Sequence, residues 1–340
     1  MINPMYGNLI VKADTLNKQT SISDFPGGGK IYSFNIDGYT VTSAVPPDNF
    51  NPVTATDEQL QKYGFEPRPK DSSKLNAWQE RMSHYKSTPI PAIGVTDFRE
   101  NINQSLQDNA QNTIYNSDYS CPSWSGYEND VGGFNATEGD FVIPSISSTY
   151  SEAEESSWVG IGGDQLHFGG NGGLIQAGVY WERSTGKYTP FYEWINAAGQ
   201  GVQGLSFSGI SVKAGDLVDI YVDWSNPLNY TAYFGIEDLT NGQSANYTAT
   251  LNSNFYDTKT ADWIDEAPCI NDGSEQAPLG NYGTINWSVC YSELTTDNMT
   301  AFNSRHCDRD IATNGTTILS EPDLPSSTSS FTDHFYNASY

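Results

Sequence analysis

From Ser120 to the C-terminus the chain is a succession of short runs rich in Val, Ile, Tyr and Trp, interrupted every 8 to 12 residues by Gly, Asn or Ser, with hardly any helical periodicity. A short strand has one apolar face and can bury it only against a second layer, so this pattern restricts residues 118–340 to an all-β fold, an antiparallel β-sandwich. A length of 340 residues leaves room for a second unit beyond a domain of about 150. Residues 1–117 read as that unit, a small mixed α/β region.

Within it, Lys30 to Val45 alternates about an Asp37-Gly38 turn and predicts a β-hairpin. After the proline-rich link from Pro46 to Pro52, Thr56 to Gly64 has the polar start and glycine stop of a short helix. Asp71 to Lys86 then carries Leu75, Trp78 and Met82 at helical spacing. Residues 87–117, with Pro89 and Pro91 followed by a polar Asn/Gln stretch, read as an exposed connector open to cleavage. Ser326 to Ser330 reads as a polar turn.

The formal net charge of −25 is divided unevenly: residues 1–120 hold 10 Lys and Arg against 13 Asp and Glu, residues 121–340 only 6 against 28. An acidic domain with so few basic groups suits work in acid. Below about pH 3 its carboxyls are largely neutral, and few positive charges remain to drive the fold apart. The same shortage excludes nucleic acid as a partner, because phosphate recognition needs clustered Lys and Arg. Lys62, Arg68, Lys70, Lys74, Arg81 and Lys86 form a local positive face in the N-terminal region, set against this acidic partner.

No run of 18 apolar residues exists. The stretch from Met1 to Tyr6 lacks a charged segment followed by an apolar one, so no signal peptide is expected in this chain. Abundant Ser, Thr, Asn, Gly and Tyr, little Lys, and eight Asn-X-Ser/Thr sequons read as a secreted, extracellular protein. Cys121, Cys269, Cys290 and Cys307, with no Cys-X-X-Cys pair, predict disulfides, with Cys269–Cys290 preferred as a brace behind Glu266; four buried thiols are the alternative. His84, His167, His306 and His334 are scattered, so no metal site is assigned and no cofactor is expected; the acidic loops leave calcium open, although no EF-hand spacing occurs.

Two stretches carry candidate chemistry. Gly173 to Trp181 and Ala261 to Pro268 read as separate strands, with Gln176 sharing a face with Leu174, Gly178 and Tyr180, and Glu266 sharing one with Ile264 and Asp262. Gly178 reads as room for a ligand beside Gln176. Other hydrolytic classes lack their parts: there is no Asp-Thr/Ser-Gly, Gly-X-Ser-X-Gly or His-Glu-X-X-His motif.

Around these stretches stand Trp124-Ser-Gly-Tyr127, Ser157-Trp-Val-Gly-Ile-Gly-Gly163, Phe191-Tyr-Glu-Trp194, Val212-Lys-Ala-Gly-Asp216, Glu237-Asp-Leu-Thr-Asn-Gly242 and Leu279-Gly-Asn-Tyr-Gly-Thr284. In this order they resemble the glutamic peptidases, or eqolisins, over residues 122–286 and more loosely to Tyr340. Fungal members carry Asp after the Trp-Val-Gly-Ile run, where this chain has Gly162, with Asp164 two positions on. The Gly-Gly form is similar to the family's prokaryotic branch, whose pro-region resembles residues 1–117.

The resemblance implies a lectin-like (concanavalin-like) sandwich of two large antiparallel sheets bent into a groove. It implies an acid-acting, pepstatin-insensitive endopeptidase on polypeptide substrates, made as a monomeric zymogen with its own pro-region as intramolecular inhibitor. Glu266 would act as general base and then acid, and Gln176 as oxyanion donor. Trp158, Glu193 and Trp124 would bind substrate, with Trp124 and Tyr127 left open between sandwich core and cleft wall. Two rival readings are a carbohydrate-binding lectin and a glycosidase using Glu193 and Glu266.

Overall fold

The computed structural model describes residues 19–25, 28–65, 68–69, 72–96, 98–99, 107–108, 118–270, 275–296, 299–304, 306–325 and 329–338. Strands β1 (Gln19–Asp24), β2 (Lys30–Ile36) and β3 (Tyr39–Val45) form an antiparallel meander. The predicted hairpin turns through Asp37 and Gly38, at φ 49° and 87°, the left-handed pair that a two-residue turn requires. Helix α1 (Asp57–Tyr63) starts at Thr56, which exchanges hydrogen bonds with Gln59 in a capping box, and stops at left-handed Gly64.

Helix α2 (Ser72–Ser83) is shorter than its apolar spacing predicts, ending where the Ser83 hydroxyl donates back to the Glu80 carbonyl. Leu60, Tyr63, Phe65, Trp78 and Met82 close a small core between the helices. Strands β4 (Ile93–Val95) and β5 (Gln107–Asp108) complete the N-terminal region.

The remaining elements are β6 (Asp118–Cys121), β7 (Trp124–Asn129), β8 (Phe134–Val142), β9 (Glu154–Gly162), the single-turn α3 (Gln165–Phe168), β10 (Leu174–Glu182), β11 (Lys187–Ile195), β12 (Gly201–Phe207), β13 (Leu217–Asn226), β14 (Thr231–Asp238), β15 (Gln243–Thr250) and β16 (Ala261–Glu266). They end with β17 (Cys269–Ile270), β18 (Glu275–Gln276), β19 (Thr284–Leu294), β20 (Thr300–Ala301), β21 (Cys307–Asn314), β22 (Thr317–Pro322) and β23 (Phe331–Phe335).

Hydrogen bonding runs along one path that folds over itself. The first layer is β1-β2-β3-β15-β14-β13-β8-β19-β23. Strand β22 turns the corner into the second, β21-β7-β16-β9-β10-β11-β12-β4. All these ladders are antiparallel; β6 adds a parallel pair beside β21.

Aromatic side chains fill the space between the layers: Tyr192 stacks on Tyr247 with ring centroids 4.7 Å apart, and the Trp263 indole donates to the Glu138 carbonyl at 2.7 Å. The N-terminal region extends both layers, β3 along β15 and β4 along β12. Its helices sit on the outer face of the first layer, where the Asn246 amide donates to the carbonyls of Ala44 and Tyr63.

Two expectations are corrected. The described part of the 87–117 connector is docked: Lys86 and Ser87 bond to Gly242, Ile93–Val95 is a strand, and Phe98 is fully buried. The boundary at residue 117 and most of the turn at 326–330 lie outside the described residues.

No disulfide forms among the four cysteines, all of them buried. The preferred pair is divided by the layering, with Cys290 inside the inter-sheet core and Cys269 paired in the separate β17–β18 ladder. Burial pushes the Cys121, Cys290 and Cys307 thiols up, the last to about 12, so they stay protonated and inert. Thiol titration will therefore find no fast-reacting group in the native protein and four after denaturation, and a reductant will leave the melting temperature unchanged.

Candidate active site

The outer face of the second layer is organised in rows across the strands. One row reads Asp308 (β21), Glu128 (β7), Asp262 (β16), Gly160 (β9), Gln176 (β10) and Glu193 (β11), each directly opposite the next. The next reads Asp310, Gly126, Ile264, Trp158, Gly178 and Phe191. The third places Trp124, Glu266, Ser156, Tyr180 and Thr189 abreast. Gln176 and Glu266 thus face the same side on strands separated only by β9, about 10 Å apart across the strands and four residues, about 13 Å, apart along them.

Trp158 stands in the middle row and links the flanking ones. Its indole N–H donates to Glu266 Oε2 at 2.9 Å. Its ring lies over Gly160, where an added Cβ would come within 2.8 Å of it. Gly178 is needed for the same reason: a Cβ there would meet the Trp158 side chain at 2.5 Å. The space predicted beside Gln176 is therefore filled by the chain's own Trp158 and Phe191.

The amide of Gln176 is set by Glu193. Glu193 Oε2 accepts the Gly204 backbone N–H at 3.0 Å, and Oε1 accepts from Gln176 Nε2 at 2.8 Å. This fixes the amide with its nitrogen toward Glu193. With both oxygens so engaged, Glu193 is a poor partner for Glu266 in glycoside hydrolysis. Trp124 belongs to this face and lies edge-on to Trp158 with ring centroids 5.0 Å apart, whereas Tyr127 points into the inter-sheet core against Phe302 and Phe331. Both residues are buried, Trp124 in the apolar cluster of this face and Tyr127 between the layers.

Gln176, Glu193, Trp158 and Glu266 are all fully buried. Part of the cover is Phe98, which lies against Phe191 at 4.2 Å and Tyr180 at 5.7 Å between ring centroids. Thr96 N–H donates to the Gly204 carbonyl and Cys269 N–H to the Arg99 carbonyl, so the 96–99 segment is tied down on both sides of the face. Phe98 is a buried residue on this face that sequence reasoning did not single out. Its only local signal is a single aromatic among polar residues.

A cluster of carboxyls marks the far end of the site. Burial and mutual repulsion among Glu128, Asp262, Asp310 and Asp164 hold the first three well above the usual carboxylate range. Gly162, at φ 84°, leaves no place for a side chain, since a Cβ would lie 2.2 Å from the Gly173 carbonyl oxygen. Asp164, two positions on, is the acid that faces this cluster. Between the layers, Asp265 is raised chiefly by burial and by Asp333, and Glu155 is pushed to about 8 chiefly by burial.

Amide and carboxyl thus stand on one sheet face, each hydrogen-bonded to a buried neighbour. The Peptidase A4 family matches residues 122–332, and the chain belongs to that family, the glutamic endopeptidases. Among curated proteins no sequence matches. Scytalido-glutamic peptidase, solved with a transition state analogue inhibitor, is 20% identical with a TM-score of 0.52, the alignment covering 63% of this chain and 98% of that one. SCP-B, an eqolisin solved with the tripeptide Ala-Ile-His, is 18% identical with a TM-score of 0.50 and the same coverage, 63% and 98%. Aspergilloglutamic peptidase from Aspergillus niger is 22% identical, TM-score 0.45, covering 54% and 100%. At these identities the likeness is one of fold.

Carboxyls whose values are raised on folding stabilise the native state below their unfolded values and lose that contribution as pH rises through the folded ones. Melting temperature measured from pH 3 to 9 should therefore be highest in acid and fall toward pH 7 to 8, where Asp223, Glu155 and Glu237, at about 7, 8 and 8, ionise. A melting temperature that rose across that range would contradict the assignment of protons to these groups.

Proposed function

We propose that this glutamic peptidase cleaves polypeptides in acid with Glu266 and Gln176 as its catalytic pair, and that residues 1–117 keep it closed as an intramolecular inhibitor. The observation that carries this reading is the arrangement around Trp158: one strand to either side, a carboxylate held by the indole and an amide held by Glu193.

In the reaction, Glu266 takes a proton from water as the water oxygen bonds to the scissile carbonyl carbon. The electron pair displaced onto the carbonyl oxygen is met by an N–H of Gln176. The resulting tetrahedral adduct breaks its C–N bond as Glu266 returns the proton to the departing nitrogen, leaving a carboxylic acid and an amine. Glu193 supports the step as a positioning residue, because it holds the Gln176 amide nitrogen. Trp158 holds Oε2 of Glu266, and Oε1 takes the proton.

Support for the inhibitor comes from the closed state. Phe98 and its neighbours cover the pair, and β4 occupies the edge of β12 in the manner of an added peptide strand. A substrate needs this surface, so the N-terminal region has to leave before turnover. An acid-dependent enzyme of this kind, with buried and protected thiols, fits secretion to an acidic medium.

Denatured casein at pH 3 with pepstatin present tests the assignment. Cleavage is expected after acid treatment, with Gln176→Ala slowed by about 10²–10³-fold and Glu266→Gln slowed further. Undiminished cleavage by Glu266→Gln would remove that residue from the mechanism. Phe98→Gly is expected to raise activity of the full chain before acid treatment, read as initial rates on a small peptide; equal rates for parent and variant would show that Phe98 does not block the site.

A further inference from the structure

A group of ligating side chains lies away from the candidate pair, at the β21 edge of the second layer. Asp130 follows the last residue of β7, and His306 precedes the first of β21. Register pairs Glu128 with Asp308 and Asn129 with Cys307, so Asp130, His306 and Asp308 share the outer face. His306 Nδ1 contacts Asp130 Oδ1 and lies 3.9 Å from Asp308 Oδ2, and one ligand atom from each of the three side chains falls within 4.8 Å of the others.

The backbone beneath them is held in place. Asn129 is fully buried; its Nδ2 donates to the Phe302 carbonyl at 2.8 Å and to the His306 carbonyl at 3.2 Å, while its Oδ1 accepts from the Ser292 hydroxyl at 2.9 Å. The Asp130 N–H donates to the same His306 carbonyl at 3.4 Å. A buried amide engaged at both ends thus fixes the two strand ends that carry the ligating groups.

Charge and exposure decide what the trio suits. The Asp308 side chain is 2% exposed, Asp130 16% and His306 41%, so the carboxylates form the floor and the imidazole the rim. Arg309, the basic residue of β21, is turned to Asp118 and Glu321 instead. Even a protonated imidazole brings one positive charge to two carboxylates, whereas a divalent cation bound to a neutral imidazole balances both. Asp308 also heads the row continued by Glu128 and Asp262, where like charges directly opposed across a ladder are destabilising, so a cation at this end relieves the row.

We propose that Asp130, His306 and Asp308 bind a divalent cation, with zinc the best match, that clasps β7 to β21. One imidazole nitrogen and two carboxylate oxygens, with water completing the shell on the open His306 side, make a donor set for zinc, whereas calcium and magnesium prefer oxygen alone. Zinc bonds of about 2.0–2.2 Å in a tetrahedron set the ligand atoms about 3.4 Å apart, so side-chain rotation suffices to close the trio from its 4.8 Å span. The site rests on neither Gln176 nor Glu266, and its fate leaves the peptidase reading untouched.

The test takes the full chain, stripped with a chelator and held at about pH 7.5 with excess magnesium to occupy surface carboxylates, and titrates it with zinc chloride by calorimetry. One zinc per chain is expected. Asp130→Asn and His306→Ala are each expected to weaken it by at least about 10-fold. His334→Ala removes a histidine that faces a single carboxylate, Asp323 at 3.1 Å, and is expected to leave binding unchanged. Cobalt in place of zinc is expected to give the visible band of a four- or five-coordinate ion in the parent and to lose it in His306→Ala. Equal affinity in the parent and all three variants would overturn the site, showing an adventitious ion only. So would a folded parent that takes up no stoichiometric zinc, which would leave His306 as an ion-pair partner alone. Asp130→Asn, nearly isosteric, keeps the test readable should His306→Ala fail to fold.

Discussion

The proton is the counter-ion on which this structure depends. Seventeen acidic side chains are buried among the described residues, in a chain with 16 Lys and Arg altogether, and most of those cations lie in the N-terminal region. Carboxyls taken out of water have to be paired, hydrogen-bonded or neutralised. In the rows Asp308–Glu128–Asp262 and Asp140–Asp219–Glu237, each directly opposed across adjacent strands, burial pushes Glu128, Asp262, Asp140, Asp219 and Glu237 toward their neutral forms, and Arg81 pairs with Glu138 beside the second row. A sandwich built in this way is expected to be most stable in acid.

The site on the second layer works within that setting. Gln176 and Glu266 come from strands with β9 between them, and β9 contributes Trp158, whose indole orients the carboxylate, and Gly160, whose missing side chain admits the ring. Glu193 fixes the amide from the other side. The geometry of the candidate site is thus a property of strand register, in which a slip of one residue would turn every one of these groups to the inter-sheet core.

What could be read in the sequence was what local chemistry decides. The Asp37-Gly38 turn, the Thr56 cap, the Gly64 stop and the alternation that groups Gln176 with Gly178 and Tyr180, and Glu266 with Ile264 and Asp262, all depend on neighbours within a few residues, and all stand in the structure. The Cys269–Cys290 bridge failed because the partition of residues between layers is a tertiary fact. The connector was misjudged because Pro89, Pro91 and a polar stretch describe a loop's composition, whereas the aromatic pocket that receives Phe98 is assembled from β10 and β11, some 80 positions further along. Cross-strand rows of acids are equally invisible in one dimension, since Asp308 and Glu128 are 180 residues apart.

Strands β3 and β4 each complete a ladder, one along β15 and one along β12. Any form of the chain without them presents two bare rims of backbone donors and acceptors, the kind of surface that recruits a second molecule into a growing sheet. In acid such a form has also surrendered most of the negative charge that would keep copies apart. Colloidal behaviour is then governed by the rims themselves: Gly204 at φ 63° interrupts one. A trimmed protein at high concentration lives closer to assembly than the closed chain does.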